Sequence, residues 1–251
     1  MFAALLTSLL ACQDPTPTPA PPPATPAQQP EPAPKVEAWD DKTAKAAADE
    51  LTKLMKGTPS MAEKSAALER VASGSNKLLV KPLAQIVERD KSVLIRKRAA
   101  ELIANQPAAD AGDAILRLLK NSRVNAFPAV MAELVRALSG AGYTSANWRD
   151  IDNLFEQDYL AERVPLHEAI LDLITRHKEK QALPLLLRNL DEPIPSNVQE
   201  AKNPPAEYWE ARWKAWAVWR EKVKEALFAI TGQRFSTAAE AKEWLKKNPL
   251  K

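Results

Sequence analysis

Leu68-Glu-Arg-Val-Ala-Ser-Gly74 and Leu134-Val-Arg-Ala-Leu-Ser-Gly140 align without a gap. In both, apolar residues fall at i, i+3 and i+4, the spacing of one helix face. Both end in Ser-Gly, a pair that punctuates helices. Leu102, within Ala99-Ala-Glu-Leu102-Ile, and Ile170, within Glu168-Ala-Ile-Leu171, continue the series, so the landmark recurs after 34, 32 and 36 residues. A fifth copy, Ala226-Leu-Phe-Ala-Ile230, follows 56 residues later, after an insertion. Such a period, carried by helices, points to a stacked repeat array.

Working outward, the apolar spacing predicts helices over Lys42–Lys56, Ser60–Ser73, Lys77–Arg89, Val93–Asn105, Ala111–Lys120, Ala126–Ser139, Ala146–Gln157, Leu160–Lys178 and Ala182–Leu190. Gly57, Gly74 and Gly140 close three of them. Pro82, Pro128, Pro165 and Pro184 fall near helix starts, where a missing N–H costs little. First helices carry runs such as Ala114-Ile-Leu-Arg-Leu-Leu119 and Leu183-Pro-Leu-Leu-Leu187; second helices carry the landmark. One such pair cannot bury its apolar face alone, so neighbours must stack. No alternating run qualifies as a strand, and six glycines in 251 residues leave few sites for tight turns. The expected fold is all-α: an α-solenoid of about five stacked helix pairs with a C-terminal capping helix, preceded by a disordered Pro-rich segment.

Asp90-Lys-Ser-Val93, Arg96, Ala99-Ala100 and Leu102 resemble the start and second helix of a HEAT unit, the armadillo-type α-helical repeat. The resemblance runs from about Lys42 to Gly232, with a period nearer the shorter bacterial HEAT-like repeats. Tetratricopeptide repeats have a similar period, but their Trp-Leu-Gly-Tyr pattern is missing.

The last pair departs from the rhythm. Residues 191–205, Asp191-Glu-Pro-Ile-Pro-Ser to Asn203-Pro-Pro205, form an insertion in which Asn203 is a plausible N-cap. A long helix is then expected from Ala206 to about Thr231. On it, Trp209, Trp213, Trp216, Trp219, Val223, Leu227 and Ile230 share one face. That stripe reads first as packing against the preceding repeat, and second as a stacking platform for sugars. Ile230-Thr-Gly-Gln-Arg-Phe235 resembles the Leu-Thr-Gly-Gln-x-Phe tail that follows HEAT-like repeats in bacterial proteins. Gly232 would end the long helix, Ser236 or Thr237 would cap the next, and Phe235 and Trp244 would plug the array within a 233–251 capping tail.

At the other end, an apolar run from Phe2 to Ala11 precedes the only cysteine, Cys12. Leu9-Leu10-Ala11-Cys12 looks like the lipobox of a bacterial lipoprotein. At about 1.5 Å per residue the run reaches about 15 Å, half a membrane core, so a signal peptide over 1–11 is expected rather than a span. No basic residue precedes it, and a basic region upstream of Met1 is expected. From Pro15 to Pro34, ten of twenty residues are proline. Such a segment favours polyproline II and acts as a spacer. Residues 12–40 are thus read as a lipidated cysteine and a disordered tether, and 41–251 as the repeat domain. The resemblance implies attachment to the membrane through lipid on Cys12, with the outer membrane, periplasmic side, favoured because Gln13 rather than Asp follows the cysteine.

One cysteine allows no intramolecular disulfide. His167 and His177, about 15 Å apart along one helix, are too far apart for one metal. His167, beside Glu168, is expected on the surface or as a helix-face contact. No HExxH, GxSxG, GxGxxG or GxxxxGKS occurs. Asp150/Asp152 and Asp191/Glu192 read as helix-start and turn charges. The net charge is +3, or +5 from Lys35 onward, and the one dense basic cluster, Arg96-Lys97-Arg98, reads as a solvated helix face rather than a nucleic-acid footprint. No cofactor and no nucleic acid is expected, and the chain is taken as a monomer. The expected function is a non-catalytic, lipid-anchored interaction scaffold that binds another envelope protein, with Trp209, Trp213, Trp216, Arg96 and Arg98 as candidate binding residues. Two alternatives stand: glycan or peptidoglycan binding through the tryptophans, and an enzyme of the HEAT-like DNA glycosylase or lyase type.

Overall fold

Side-chain caps set where the helices begin. Asp40 accepts hydrogen bonds at 2.9 Å from the N–H groups of Lys42 and Thr43 and opens α1, Asp41–Lys56. Ser60 and Glu63 form a reciprocal capping box at α2, Met61–Val71. Asn76 opens α3, Lys77–Arg89, and Ser92 opens α4, Val93–Ala104. Each cap satisfies N–H groups that a helix start leaves without an internal partner. The computed structural model describes residues 36–194 and 200–250. Eight further α-helices follow among them: α5 (Ala108–Leu119), α6 (Ser122–Asn125), α7 (Pro128–Gly140), α8 (Trp148–Phe155), α9 (Val164–His177), α10 (Leu183–Arg188), α11 (Ala206–Thr231) and α12 (Ala238–Lys247). The expected signal segment, Cys12 and the proline tract lie outside the described residues.

The protein is all-helical, and its neighbouring helices pack in pairs: α1 with α2, α3 with α4, α5 with α7, α8 with α9, and α10 with α11. The second members also pack in series, α2 on α4, α4 on α7, α7 on α9 and α9 on α11. Among the first members α1 packs on α3 and α3 on α5. The landmark residues Leu68, Leu102, Leu134, Ile170 and Ala226 sit one on each helix of the second series, and all are buried in one continuous core. α12 packs on α10, with Phe235 buried edge-on to Trp244 at 5.7 Å between ring centroids. Thr237 caps α12, and Gly232, at φ 71°, ends α11. Both details follow the expectation for the tail.

Several local features differ from the sequence reading. Glu37–Ala38 and Gly74–Ser75 form a short parallel pair, β1 and β2, where no strand was expected. Glu37 N–H donates to Ser73 O at 2.7 Å and Trp39 N–H to Ser75 O at 3.0 Å, so the fold takes in residues ahead of 41. Gly74 is there for contact, not for helix ending. A Cβ on it would stand 2.4 Å from the Trp39 ring. Gly140, its partner in the alignment, is the last residue of α7 and a Cβ there would meet nothing within 4 Å. Pro82 lies inside α3 rather than at its start, so the Leu78 carbonyl loses its helical donor. Asn203 does not cap α11; Pro205 takes that place with no side-chain bond. The helix expected from Leu160 begins with a 3-10 turn at Ala161–Arg163, and α9 starts at Val164, because Pro165 cannot donate back to the turn before it.

Candidate binding surfaces

The second members of the pairs turn their landmark side inward, which leaves charged side chains on their outer side. Glu101 and Glu133 stand one residue before Leu102 and Leu134 and so hold the same place beside successive landmark residues. Arg98 on α4 grips Glu69 on α2 with two bonds, Nε at 2.8 Å and Nη2 at 2.9 Å, and reaches Glu101 at 2.9 Å. Such two-pronged pairing is the strong form of this contact. The bonds to Glu69 hold the Arg98 pKa above its usual value. Arg136 pairs with Glu133 at 3.1 Å on α7, and Lys222 on α11 reaches Asp172 on α9 at 2.6 Å. The face therefore carries both signs in paired, partly exposed positions; Arg98–Glu69 ties α4 to α2 and Lys222–Asp172 ties α11 to α9, while the other pairs lie within one helix.

Arg96 does not belong to that face. Expected on a solvated helix surface, it is 2% exposed. Its Nε donates to Val87 O, its Nη2 donates to Arg123 O at 3.1 Å, and its guanidinium lies 4.1 Å above the Phe127 ring centroid. Burial pulls its pKa below the usual arginine range, opposed by the charge of Asp90. In place of a ligand contact, Arg96 satisfies carbonyls at the C-terminal end of α3 and in α6, the sort of task for which a planar five-donor group is suited. Its neighbours Lys97 and Arg98 keep partial exposure, so only one residue of the basic triplet is lost from the surface.

The tryptophan stripe of α11 divides. Trp219 is fully buried and Trp216 is 8% exposed, with its indole N–H donating to Asn189 O at 3.1 Å. Trp209 is partly buried and stacks edge-on with Tyr208 at 5.4 Å. Only Trp213, at 46%, offers much of its ring to water, and its N–H is held by Glu192 of the insertion. The first reading of the stripe, packing on the preceding repeat, accounts for Trp216 and Trp219. As a sugar platform it reduces to one open ring. Asp191, the first residue of the insertion, accepts from the N–H of Ala238 at 2.9 Å, so this segment also anchors the start of α12. Asp150 lies in the first turn of α8 and pairs with Lys120 at 2.9 Å, as its reading as a helix-start charge requires.

Two clusters of buried polar groups escaped the sequence reading. His167, expected near the surface, is 0% exposed. Phe155, Tyr159 and Trp219 surround it at 4.7, 5.7 and 6.1 Å between ring centroids. Neither ring nitrogen makes a well-formed hydrogen bond. Burial first, then the charge of Arg163, pushes its pKa down to about 4, against partial help from the backbone of Phe155 and Asp158. Near the end of α9, the Tyr143 hydroxyl donates to buried Glu179 at 2.8 Å, and the Tyr143 ring tilts against His177 at 4.7 Å. Burial raises the Tyr143 pKa. Burial works against the Glu179 carboxylate as well, yet bonds from Ser145, the Gln181 N–H and Tyr143 outweigh it and leave its pKa low. Lys178, at φ 49°, makes the left-handed turn that brings Glu179 back under the helix. A histidine in an apolar helix pattern, four residues after Arg163, was the available signal for the first cluster; the second depends on residues 36 apart and left none.

Among the described residues no three His, Cys, Asp or Glu side chains are grouped to hold a metal, and no helix is long and apolar enough to cross a membrane. Comparisons with protein-family models, with curated proteins and with solved structures return no match for this chain.

Proposed function

We propose that this protein is a non-catalytic, lipid-anchored scaffold of HEAT-like repeats that binds another protein in the bacterial cell envelope. In this reading the helix pairs form an α-solenoid, Cys12 carries the lipid on the periplasmic side of the outer membrane, and the proline tract separates body from membrane. One observation carries it. Five residues picked from the sequence by repeat spacing alone lie one per helix on α2, α4, α7, α9 and α11, all buried, and these helices pack consecutively. A stack in which each unit touches its neighbours is the physical meaning of a solenoid, and such arrays present long surfaces for other proteins. The paired charges of Glu69, Arg98, Glu101, Glu133 and Arg136 make the outer side of the second helices the favoured contact face.

Metabolic labelling with a fatty-acid probe tests the anchor: the full chain takes up label and the Cys12→Ser variant does not. Capture from envelope extract tests the scaffold. One reproducible partner is expected, lost when Arg98 and Arg136 are both replaced by Glu. No reproducible partner, or equal capture by the charge-reversed variant, overturns this reading of the face.

A further inference from the structure

A second surface lies at the other side of the first two pairs. The C-terminal ends of α1 and α3, with the 57–59 and 90–91 turns, enclose an open groove of about 560 Å³. That is within the range of built ligand sites, roughly 300–1,000 Å³. Its floor is apolar, formed by Leu51, Met55, Pro82 and Ile86. Its walls carry four cations against one carboxylate. Asp90 is the carboxylate, and it is already taken: Lys64 holds it at 2.6 Å and the Ser92 N–H donates to it at 2.8 Å. Lys56 and Lys91 are exposed and make no ion pair among the described residues. Arg89 has only its neighbour Glu88, at 3.8 Å. The Gln85 amide and the Thr58 hydroxyl, also at the groove, make no side-chain hydrogen bond among the described residues.

We propose that this groove binds an extended acidic peptide segment of a protein partner, glutamates or aspartates reaching Lys56, Arg89 and Lys91 while an apolar residue seats against Met55, the floor residue that keeps partial exposure. The inference rests on the scaffold reading and names a partner chemistry for it. Unpaired cations around a low-dielectric floor attract carboxylates more strongly than the same charges would on an open surface. Free amide and hydroxyl groups at the rim suit the main-chain groups of an extended segment. A membrane surface fits less well, because a flat bilayer face does not reach the recessed apolar floor between the cationic walls.

The test is fluorescence anisotropy of a labelled peptide alternating glutamate with leucine, added to the purified full chain at low salt. It binds at least about tenfold more tightly than the same peptide with glutamine in place of glutamate, and about 0.5 M salt weakens it. Lys56→Glu with Lys91→Glu lowers the affinity by about tenfold or more while circular dichroism shows the helices intact. Equal binding of the glutamine peptide, or an unchanged affinity in the double variant, overturns the proposal. So does binding of phosphatidylglycerol vesicles through the same two lysines in preference to the peptide. Envelope capture that still depends on Arg98 and Arg136 while the peptide fails removes the groove alone and leaves the scaffold standing.

Discussion

The His167 imidazole meets the Trp219 indole edge-on, 6.1 Å between ring centroids, with both side chains fully buried. This contact joins α9 to α11 through a group that prefers to stay neutral. An imidazolium gains from aromatic faces, but here burial and Arg163 outweigh that gain.

The pH dependence follows from the direction of that shift. The folded pKa of about 4 lies below the ordinary histidine value of 6.5, so between the two the unfolded chain binds more protons than the folded one. Stability is therefore full above about pH 6.5 and falls as the pH drops toward 4. The charges that face His167 are Arg163 and Asp158; Tyr159 stays protonated, its pKa pushed up to about 12 by burial. A loss of about 3 kcal/mol is expected across the window, to within a factor of two. Urea midpoints of the full chain at pH 7 and pH 4.5 measure it. In His167→Phe the pH-dependent part shrinks; an unchanged slope removes His167 as its source.

The two glycines that align in sequence should respond in opposite directions. Gly74→Ala drives a methyl into the Trp39 ring and should cost about 1–3 kcal/mol, with loss of hydrogen-exchange protection at the Glu37 and Trp39 amides. Gly140→Ala meets open space on a helical residue and should be neutral or stabilising by up to about 1 kcal/mol. Thermal melts of both variants decide the matter, and equal destabilisation would mean that Gly140 has a contact the fold does not display.

The same glycines explain what could and could not be read from sequence. Leu68 and Leu134 were found because burial on one helix face has a period, and period is local information. So were Gly232 as a stop and a cap at Ser236 or Thr237, of which Thr237 takes the place, since capping depends on a few adjacent residues. The role of Gly74 depends on Trp39, which is 35 positions away. The burial of Arg96 depends on Phe127 and the Arg123 carbonyl, brought in by the short helix α6 that the apolar pattern does not announce. Trp213 and Trp216 lie three residues apart and share one stripe, yet Trp216 is buried with its N–H on the Asn189 carbonyl and Trp213 stays half open. Contacts set by tertiary distance leave no periodic trace.

Arg96 and Arg98 are two residues apart and should separate cleanly. Arg96→Met keeps the volume but leaves the Val87 and Arg123 carbonyls without their side-chain donor, at an expected cost of about 2–4 kcal/mol. Arg98→Ala removes a partly exposed pair with Glu69 and Glu101 and should cost less than about 1 kcal/mol. Denaturant midpoints supply the comparison. Partner capture supplies the converse ranking, because only Arg98 reaches the outer face. An Arg96→Met midpoint equal to that of the unaltered chain would put the guanidinium outside the core.

Trp213 and Trp216 test what the long helix is for. Trp216→Ala opens a cavity against the core and orphans the Asn189 carbonyl, so a loss of about 3–5 kcal/mol is expected. Trp213→Ala removes a half-exposed ring whose N–H bonds a surface glutamate, and a loss of about 1 kcal/mol or less is expected. If the helix serves sugars, Trp213 is the ring best placed to do so, since stacking needs a free face, Trp216 and Trp219 have none, and Trp209 is partly buried against Tyr208 and Arg212. Titration with peptidoglycan fragments, followed by tryptophan fluorescence, then distinguishes the roles. On the packing account the emission does not move, and Trp213→Ala behaves as wild type. A saturable shift that vanishes in Trp213→Ala would assign the ring to glycan binding and the rest of the stripe to holding α11 in place.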